Sequence, residues 1–499
     1  MGRLLFTGRE SFETNISRIC LLRCYCCGFN DPSTLNDLIQ NMNHSLKRQL
    51  GLVAVLSIVM GDMMGSGIFY TPQELALVAT QSWQVYFLWG LCGFIILCGA
   101  LSVAEACTYY PESGSDYFII KEGWGDGLGF LRVWTNMWVS GPGSIAAVAI
   151  LFGEFFTKFS GWSTEPVTVG IVVIIFFVGI NLVGVSLSSW TQILLTTIKV
   201  SALLFIVVMS IFLVDATPLL DSTLNESQHS GGGILQLFRL TGLGIGVVLF
   251  TYDGWIDIIH AAGEVKNPKK NIPAGLIIGI IGITLLYLIT NYAYLRVVPL
   301  SEMGRGNQLA IFKVAEATFG MIGGKFISIL LMVSILGALG GLIMTNPRLI
   351  YGMSAQLQSS GKFSLFKFLS NVNSKTGVPS GSLLFMGAIS IVALIYLQSF
   401  SRIVNFFVVP NHFFNILLVA AIFKFRKKID IKPQDYHTPF YPVTPILFII
   451  TILGFLFAAI IYRPQDTIIG ILLTAICLLY TSDAADDTPC VDLGGRRII

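Results

Sequence analysis

The chain has 499 residues, 54% hydrophobic and only 12% charged, where an average soluble domain has about 25% charged residues. With a mean hydropathy of +0.75, this excludes a water-soluble globular protein. The net charge of +3 says little about partners, because in a membrane protein the position of charge matters more than its sum.

Apolar windows of the roughly 20 residues that cross a bilayer recur along nearly the whole chain. Residues 1–46 form a polar tail ahead of the first of them. Within the tail, residues 1–41 are Cys-rich and unlike the rest, and Met42 is an alternative start just before HSLKRQLGLVAVL. Cys20, Cys24, Cys26 and Cys27 crowd this tail. Acylation or metal binding would use them, but no His lies nearby and the spacing is not that of a zinc site. The run ICLLRCYCCGF is short and broken by Arg23, so it does not read as a cleavable signal peptide.

Twelve apolar segments follow, with bounds good to about 2–4 residues. Segments 1 to 5 are predicted at 51–72, 83–109, 128–157, 166–186 and 190–214. Segments 6 and 7 are predicted at 236–262 and 274–298, followed by a short amphipathic piece at 308–319. Segments 8 to 11 are predicted at 325–347, 380–399, 403–423 and 443–461. Segment 12 begins near 467, and after Ile476 it turns into CLLYTSDAADDTPCVDLGGRRII. About 14 apolar residues do not span comfortably. The string CLLYTSDAAD resembles what a common transposase-type sequencing adapter encodes when read as protein. Residues 477–499 are therefore expected to be an artefact that truncates segment 12, the alternative being a true acidic tail. Residues 47–476 are expected to form one domain.

Basic residues set the orientation. Lys47 and Arg48 precede segment 1, Lys266, Lys269 and Lys270 follow segment 6, and Lys362, Lys367 and Lys375 follow segment 8. Lys424, Arg426, Lys427, Lys428 and Lys432 follow segment 10. All fall on one side if every segment crosses, while residues 71–83 and 215–235 hold no Lys or Arg. Both termini are expected in the cytoplasm, with the protein in the cell membrane, plasma or inner.

No catalytic constellation stands out. The five histidines are scattered, there is no HExxH and no phosphate-cradling loop, and neither enzymatic activity nor a cofactor or metal is expected. Glu105, Glu154 and Glu264 fall near segment ends, where structural roles are expected. Two segments share a defect instead. Segment 1 is interrupted at Gly65-Ser66-Gly67, in GDMMGSGIFYTP. Segment 6 is interrupted near Phe250-Thr251-Tyr252-Asp253-Gly254-Trp255, after Gly242, Gly244 and Gly246. In lipid an open backbone group costs several kcal/mol, so a broken helix survives only where something satisfies the freed groups. Paired breaks in corresponding places of two halves point to a transport site; glycines that merely let helices pack closely are the alternative. An unwound stretch offers N–H groups to a carboxylate at a half-helix N-terminus and carbonyls to an ammonium group, which suits an α-amino acid. Lys199 is a lone charge about ten residues into segment 5, where a Lys costs about 2.5–3.5 kcal/mol. It is expected to face the bundle and find oxygen partners rather than to snorkel to the edge.

The motifs then become specific. GSGIFYTP, YPESGSDYFIIKEGWG, GPGSIAAVAILFGEFF, FTYDGWIDIIHAAGEVKNPKKNIP and FYPVTPILFI occur in that order. They resemble the L-type amino-acid transporter family of the amino acid–polyamine–organocation superfamily, a bacterial member, over about residues 47–476. The resemblance implies a LeuT-type fold of two inverted five-helix repeats plus two further helices. It implies substrate carboxylate binding by the backbone of Gly65, Ser66 and Gly67. The amino group would meet carbonyls of Met63, Phe250 and Asp253, with Phe250 also acting as a gate and Gly254 and Trp255 beside the site. Core or lipid packing is the alternative for Phe250 and Trp255. The spacing of Lys199 from Gln192 matches a family lysine that takes the place of a sodium ion and touches the carbonyls between Gly61 and Gly65. Sodium-independent transport by alternating access is implied, an exchange of neutral or cationic amino acids. A proton-coupled amino-acid or polyamine symporter and a non-transporting sensor are the alternatives. Two departures stand out: Ile256, with Asp257 next, stands where many members have Asn after the tryptophan, and Asp253, where some members have Gly and others Asp, either attracts a cationic side chain or faces away. FSGWSTEP lacks the Cys that joins animal members to a glycoprotein, so no disulfide-linked heavy chain is expected. The partners expected are an amino-acid substrate and the lipid bilayer, with no nucleic acid.

Overall fold

A computed structural model describes residues 46–214, 244–305, 309–358, 364–398, 400–428 and 436–462. Among these the protein is all-α, and the only β pairing is an isolated bridge between Leu50 and Val265. Nine helices in the described residues are long and apolar enough to cross a membrane. Segment 12, the tail from Cys477, the tail cysteines and residues 236–243 of segment 6 lie outside the described residues.

Segment 1 forms two helices, α1 (Leu52–Met63) and α2 (Gly67–Ala76). Segment 2 is α3 (Ser82–Tyr109). The link after it folds into a further helix, α4 (Ser115–Trp124), which hydropathy alone did not mark. Segment 3 is α5 (Asp126–Thr135) and α6 (Gly141–Ser160), joined by a π-helical turn at Asn136–Ser140. Such turns widen a helix and often mark functional places. Segments 4 and 5 are α7 (Pro166–Val183) and α8 (Val185–Leu213). Pro166 opens α7 at a position where its missing N–H costs nothing.

Segment 6 is the least regular. Among its described residues only α9 (Ile245–Thr251) is α-helical, and turns then lead into a 3-10 helix at Asp257–Glu264. Segment 7 is α10 (Pro268–Val297), followed by the short α11 (Leu300–Arg305) and α12 (Ala310–Phe319). Segment 8 is α13 (Met321–Gln358), eleven residues longer at its C-terminal end than the apolar run suggests. Pro347 lies inside this helix and removes one backbone bond. The helix continues because side chains serve the neighbouring carbonyls: Asn346 Nδ2 donates to Leu342 O at 3.2 Å, and the Arg348 guanidinium donates to Met344 O. The remaining helices are α14 (Ser364–Leu369), α15 (Ser380–Leu397), α16 (Phe400–Lys428) and α17 (Val443–Tyr462).

The two broken segments lie together. α2 packs on α9, and α1 is flanked by α8, α10 and α13. Backbone bonds tie the entry of α1 to the end of segment 6: Gln49 N and Leu50 N donate to Glu264 O at 2.8 and 2.9 Å, and Lys266 N donates to Leu50 O at 2.8 Å. Ion pairs with buried carboxylates fix helix ends. Arg348 holds Glu264 through two nitrogens, at 2.6 and 3.0 Å. Arg426 holds Glu105 at 2.9 and 2.7 Å, with Thr438 N and the Tyr109 hydroxyl donating to the same carboxylate. Glu105 and Glu264 therefore have the structural roles expected of them.

Breaking one partner of a buried pair leaves an uncompensated charge and costs about 3–5 kcal/mol, whereas an exposed pair contributes about 0–1 kcal/mol. Glu264→Ala should therefore lower the thermal unfolding temperature in detergent far more than Glu302→Ala, which breaks the exposed pair with Lys313. Equal shifts would contradict this assignment.

Candidate functional site

The break in segment 1 spans Met64, Gly65 and Ser66. It frees carbonyls at the end of α1 and N–H groups at the start of α2. The carbonyls have found protein donors. Lys199 Nζ lies 2.5 Å from Gly61 O and 2.8 Å from Met64 O, with the side chain fully buried. Ser334 Oγ of α13 donates to Met64 O at 3.0 Å or Gly65 O at 3.1 Å. The Tyr287 hydroxyl of α10 donates to Met63 O at 2.9 Å, and Gly65 N donates to the same oxygen at 3.0 Å. Met63 O, expected to receive a substrate amino group, is thus already engaged by two donors.

Lys199 is positioned by a polar stripe on α8. Gln192, Thr196 and Lys199 follow at helical spacing and all face α1. Gln192 Nε2 donates to Asp62 Oδ1 at 3.3 Å, and Thr196 Oγ1 donates to Ser57 O at 2.9 Å. The charge faces the bundle and does not snorkel.

Two glycines bring the broken segments into contact. A Cβ on Gly67 would fall 2.5 Å from Thr251 Cγ2 and 2.7 Å from Thr251 Oγ1. Without it, the start of α2 lies against the end of α9, where Thr71 and Thr251 share a hydrogen bond of 2.6 Å. Gly254 has φ +96°, and a Cβ there would meet Asp62 C at 2.9 Å. Gly65 is not pressed in this way, its nearest neighbour being Ala338 Cβ at 3.8 Å.

Between the breaks lies an open cleft with a water-accessible volume of about 120 Å³. Met63, Gly65, Ser66, Gly67, Phe250, Asp253 and Gly254 line it. Trp255 does not: it is buried and packs edge-on to Phe448 of α17, at 5.9 Å between ring centroids. Lys199 sits behind the break rather than in the cleft.

The cleft also holds polar residues that the sequence did not single out as site residues: Asp62, Arg132, Asn136, Asp257, His260 and Asn411. Arg132 donates from Nε, and pairs through Nη2, to Asp116 Oδ2 of α4, both at 2.7 Å. His260 Nε2 lies 3.2 Å from the same oxygen. Burial alone would raise the Asp116 pKa, but the Arg132 charge and the His260 contacts outweigh it and hold the carboxyl below its usual value. Asn136 Nδ2 donates to Asn346 Oδ1 at 2.9 Å, and Asn411 Nδ2 to Asp253 Oδ2 at 3.4 Å. Several buried atoms here have no hydrogen-bond partner: Asp62 Oδ2, Asn136 Oδ1, Ser140 Oγ, Arg132 Nη1 and His260 Nδ1. Buried polar atoms are usually paired, so a concentration of exceptions around one cleft marks a place built for a polar ligand.

Residues 50–482 match the profile of the family described as Amino acid permease. The chain belongs to that family. It is a multi-pass membrane protein that transports amino acids, in a family of transporters and not of enzymes. The permease is 29% identical over 409 residues to the Serine/threonine exchanger SteT of Bacillus subtilis (strain 168), covering 81% of this chain and 89% of the relative. It is 27% identical over 432 residues to the b(0,+)-type amino acid transporter 1 of Mus musculus, covering 84% of each. Against the Cystine/glutamate transporter of Homo sapiens it is 26% identical over 437 residues, 86% of this chain and 83% of the relative. The resemblance to L-type transporters is borne out.

The permease should tolerate Gly65→Ala but not Gly67→Ala or Gly254→Ala. The first adds a Cβ into ordinary contact space, and the other two collide with Thr251 and with the Asp62 backbone. Thermal stability of the three purified variants checks this, and a ranking with Gly65→Ala worst would contradict the geometry.

Proposed function

We propose that this permease exchanges amino acids across the cell membrane by alternating access, without sodium coupling. The observation that carries the reading is the Lys199 ammonium on Gly61 O and Met64 O. A fixed cation there meets the need of carbonyls that would otherwise take a metal ion. The relatives named as exchangers or transporters of serine/threonine, b(0,+)-type substrates and cystine/glutamate support the exchange mode.

The substrate carboxylate is assigned to the backbone N–H groups of Ser66 and Gly67 at the N-terminus of α2, where the helix dipole favours negative charge. The substrate ammonium is assigned to the Phe250 and Asp253 carbonyls at the end of α9. Met63 supplies shape rather than an acceptor, since its oxygen is occupied. Phe250 acts as the gate, standing on the last turn of α9 over the cleft. Trp255 acts indirectly, by holding segment 6 on α17. The side bearing Lys266, Lys269 and Lys270 is cytoplasmic, with both termini on it, and the permease works without a disulfide-linked subunit.

Exchange requires substrate on both sides. In proteoliposomes, uptake of labelled amino acid should rise at least tenfold when unlabelled amino acid is loaded inside. Uptake into empty vesicles driven by a proton gradient would give symport instead, and binding without flux would give a sensor. Gly67→Val should abolish substrate binding, and Phe250→Ala should slow exchange far more than it weakens binding. Normal transport by Gly67→Val, or equal losses for Phe250→Ala, would overturn these two assignments.

A further inference from the structure

We propose that the cleft carries a cation-selecting subsite, formed by Asp62 and Asp257, that takes the positively charged end of a basic amino acid's side chain. The proposal rests on the exchange reading above and names the substrate class of the same cleft.

The charge balance comes first. Asp62, Asp253 and Asp257 line the cleft, and the basic side chains that line it are Arg132 and His260. Arg132 is committed to Asp116 through two nitrogens, so that pair is neutral. His260 shares the same Asp116 oxygen through Nε2, and its Nδ1 stands 4.0 Å from Asp257 Oδ1. Lys199 interacts with Asp62 electrostatically, but its hydrogen bonds go to Gly61 O and Met64 O. Asp62 and Asp257 also feel each other's charge, as do Asp257 and Asp253. Carboxylates outnumber the cations free to pair with them.

Burial makes that excess consequential. Asp62 and Asp257 are each 8% exposed. Intramembrane carboxylates are expensive unless something pairs with them, and such groups mark substrate or ion paths.

The orphaned atoms give an independent pointer. Asp62 Oδ1 receives Gln192 Nε2, but Asp62 Oδ2 is buried with no partner. Asn136 Oδ1, on the π-helical turn facing the cleft, is likewise an unpartnered acceptor. Two acceptors without donors call for a ligand rich in N–H. An ammonium has three donors and a guanidinium five, and either carries the charge that the carboxylates lack. Asp62 is held too tightly to swing away and pair elsewhere, because Gly341 and Gly254 press on it from α13 and segment 6.

The test uses the whole permease in proteoliposomes loaded with unlabelled substrate. Lysine and norleucine share an unbranched side chain of about equal carbon length and differ in the terminal ammonium, so the ratio of their kcat/KM values reads the subsite alone. The ratio should exceed one for the wild type. It should fall at least tenfold in Asp62→Asn and in Asp257→Asn, both near-isosteric. An ornithine–norvaline pair on the wild type repeats the comparison without any substitution, so a misfolded variant leaves a readout. Norleucine exchange with lysine excluded, or a ratio unmoved in both variants, would overturn the subsite and leave exchange standing. Norleucine uptake driven by a proton gradient and lost in Asp62→Asn would also overturn it, since a proton would then be the cation. Exchange of neither amino acid would overturn the exchange reading and the subsite together.

Discussion

The contact between the Lys199 ammonium and the carbonyls of Gly61 and Met64 is the constraint on which the structure depends. Unwinding segment 1 frees backbone oxygens in a place without bulk water. A lysine at mid-bilayer depth is costly by itself, and so is an open carbonyl. Each removes the other's penalty. The break can then persist as a defined shape, with Ser334 and Tyr287 taking the remaining carbonyls. What is left unsatisfied is the N-terminal end of α2, which faces the cleft.

The rest of the polar interior divides into paired and unpaired groups. Glu264–Arg348, Glu105–Arg426 and Asp116–Arg132 are charge-neutral pairs that fix helix ends. They hold segment 6 to α13, α3 to α16, and the α4 link to α5. Lys199 is spent on backbone. Against that neutral frame, Asp62, Asp253 and Asp257 stand out because they line open space. The contact of Gly254 with the Asp62 backbone also joins the two breaks mechanically. Movement of one broken segment is therefore passed to the other, as the proposed alternating access needs.

The break in segment 1 was legible in the sequence because Gly-Ser-Gly weakens a helix wherever it occurs. Lys199 was legible because a single charge in an apolar run has few ways to be satisfied. The polar stripe Gln192, Thr196 and Lys199 carried the same message in its spacing. By contrast, nothing local marks Tyr287 as the donor to Met63 O. That bond joins residues 224 apart, and only the packing of α10 on α1 creates it. Arg132 and Asp116 read separately as charges near helix ends, and their pairing depends on how α4 turns back on α5. Asp62 carries no local signal either, because its orphaned oxygen exists only once Gly254 and Gly341 have closed around it. The continuation of α13 past Pro347 was hidden too: a proline's missing bond is visible in sequence, and the side chains that serve the carbonyls around it are not.

The central claim is that a protein cation replaces a metal cation at the break in segment 1. The direct measurement is amino-acid exchange in proteoliposomes with sodium, potassium or choline as the only external cation, for the wild type and for Lys199→Ala. The account predicts identical wild-type rates in all three and a rate near background for Lys199→Ala in choline. A wild-type rate that rises steeply with external sodium would contradict it, as would a Lys199→Ala permease that exchanges normally without sodium.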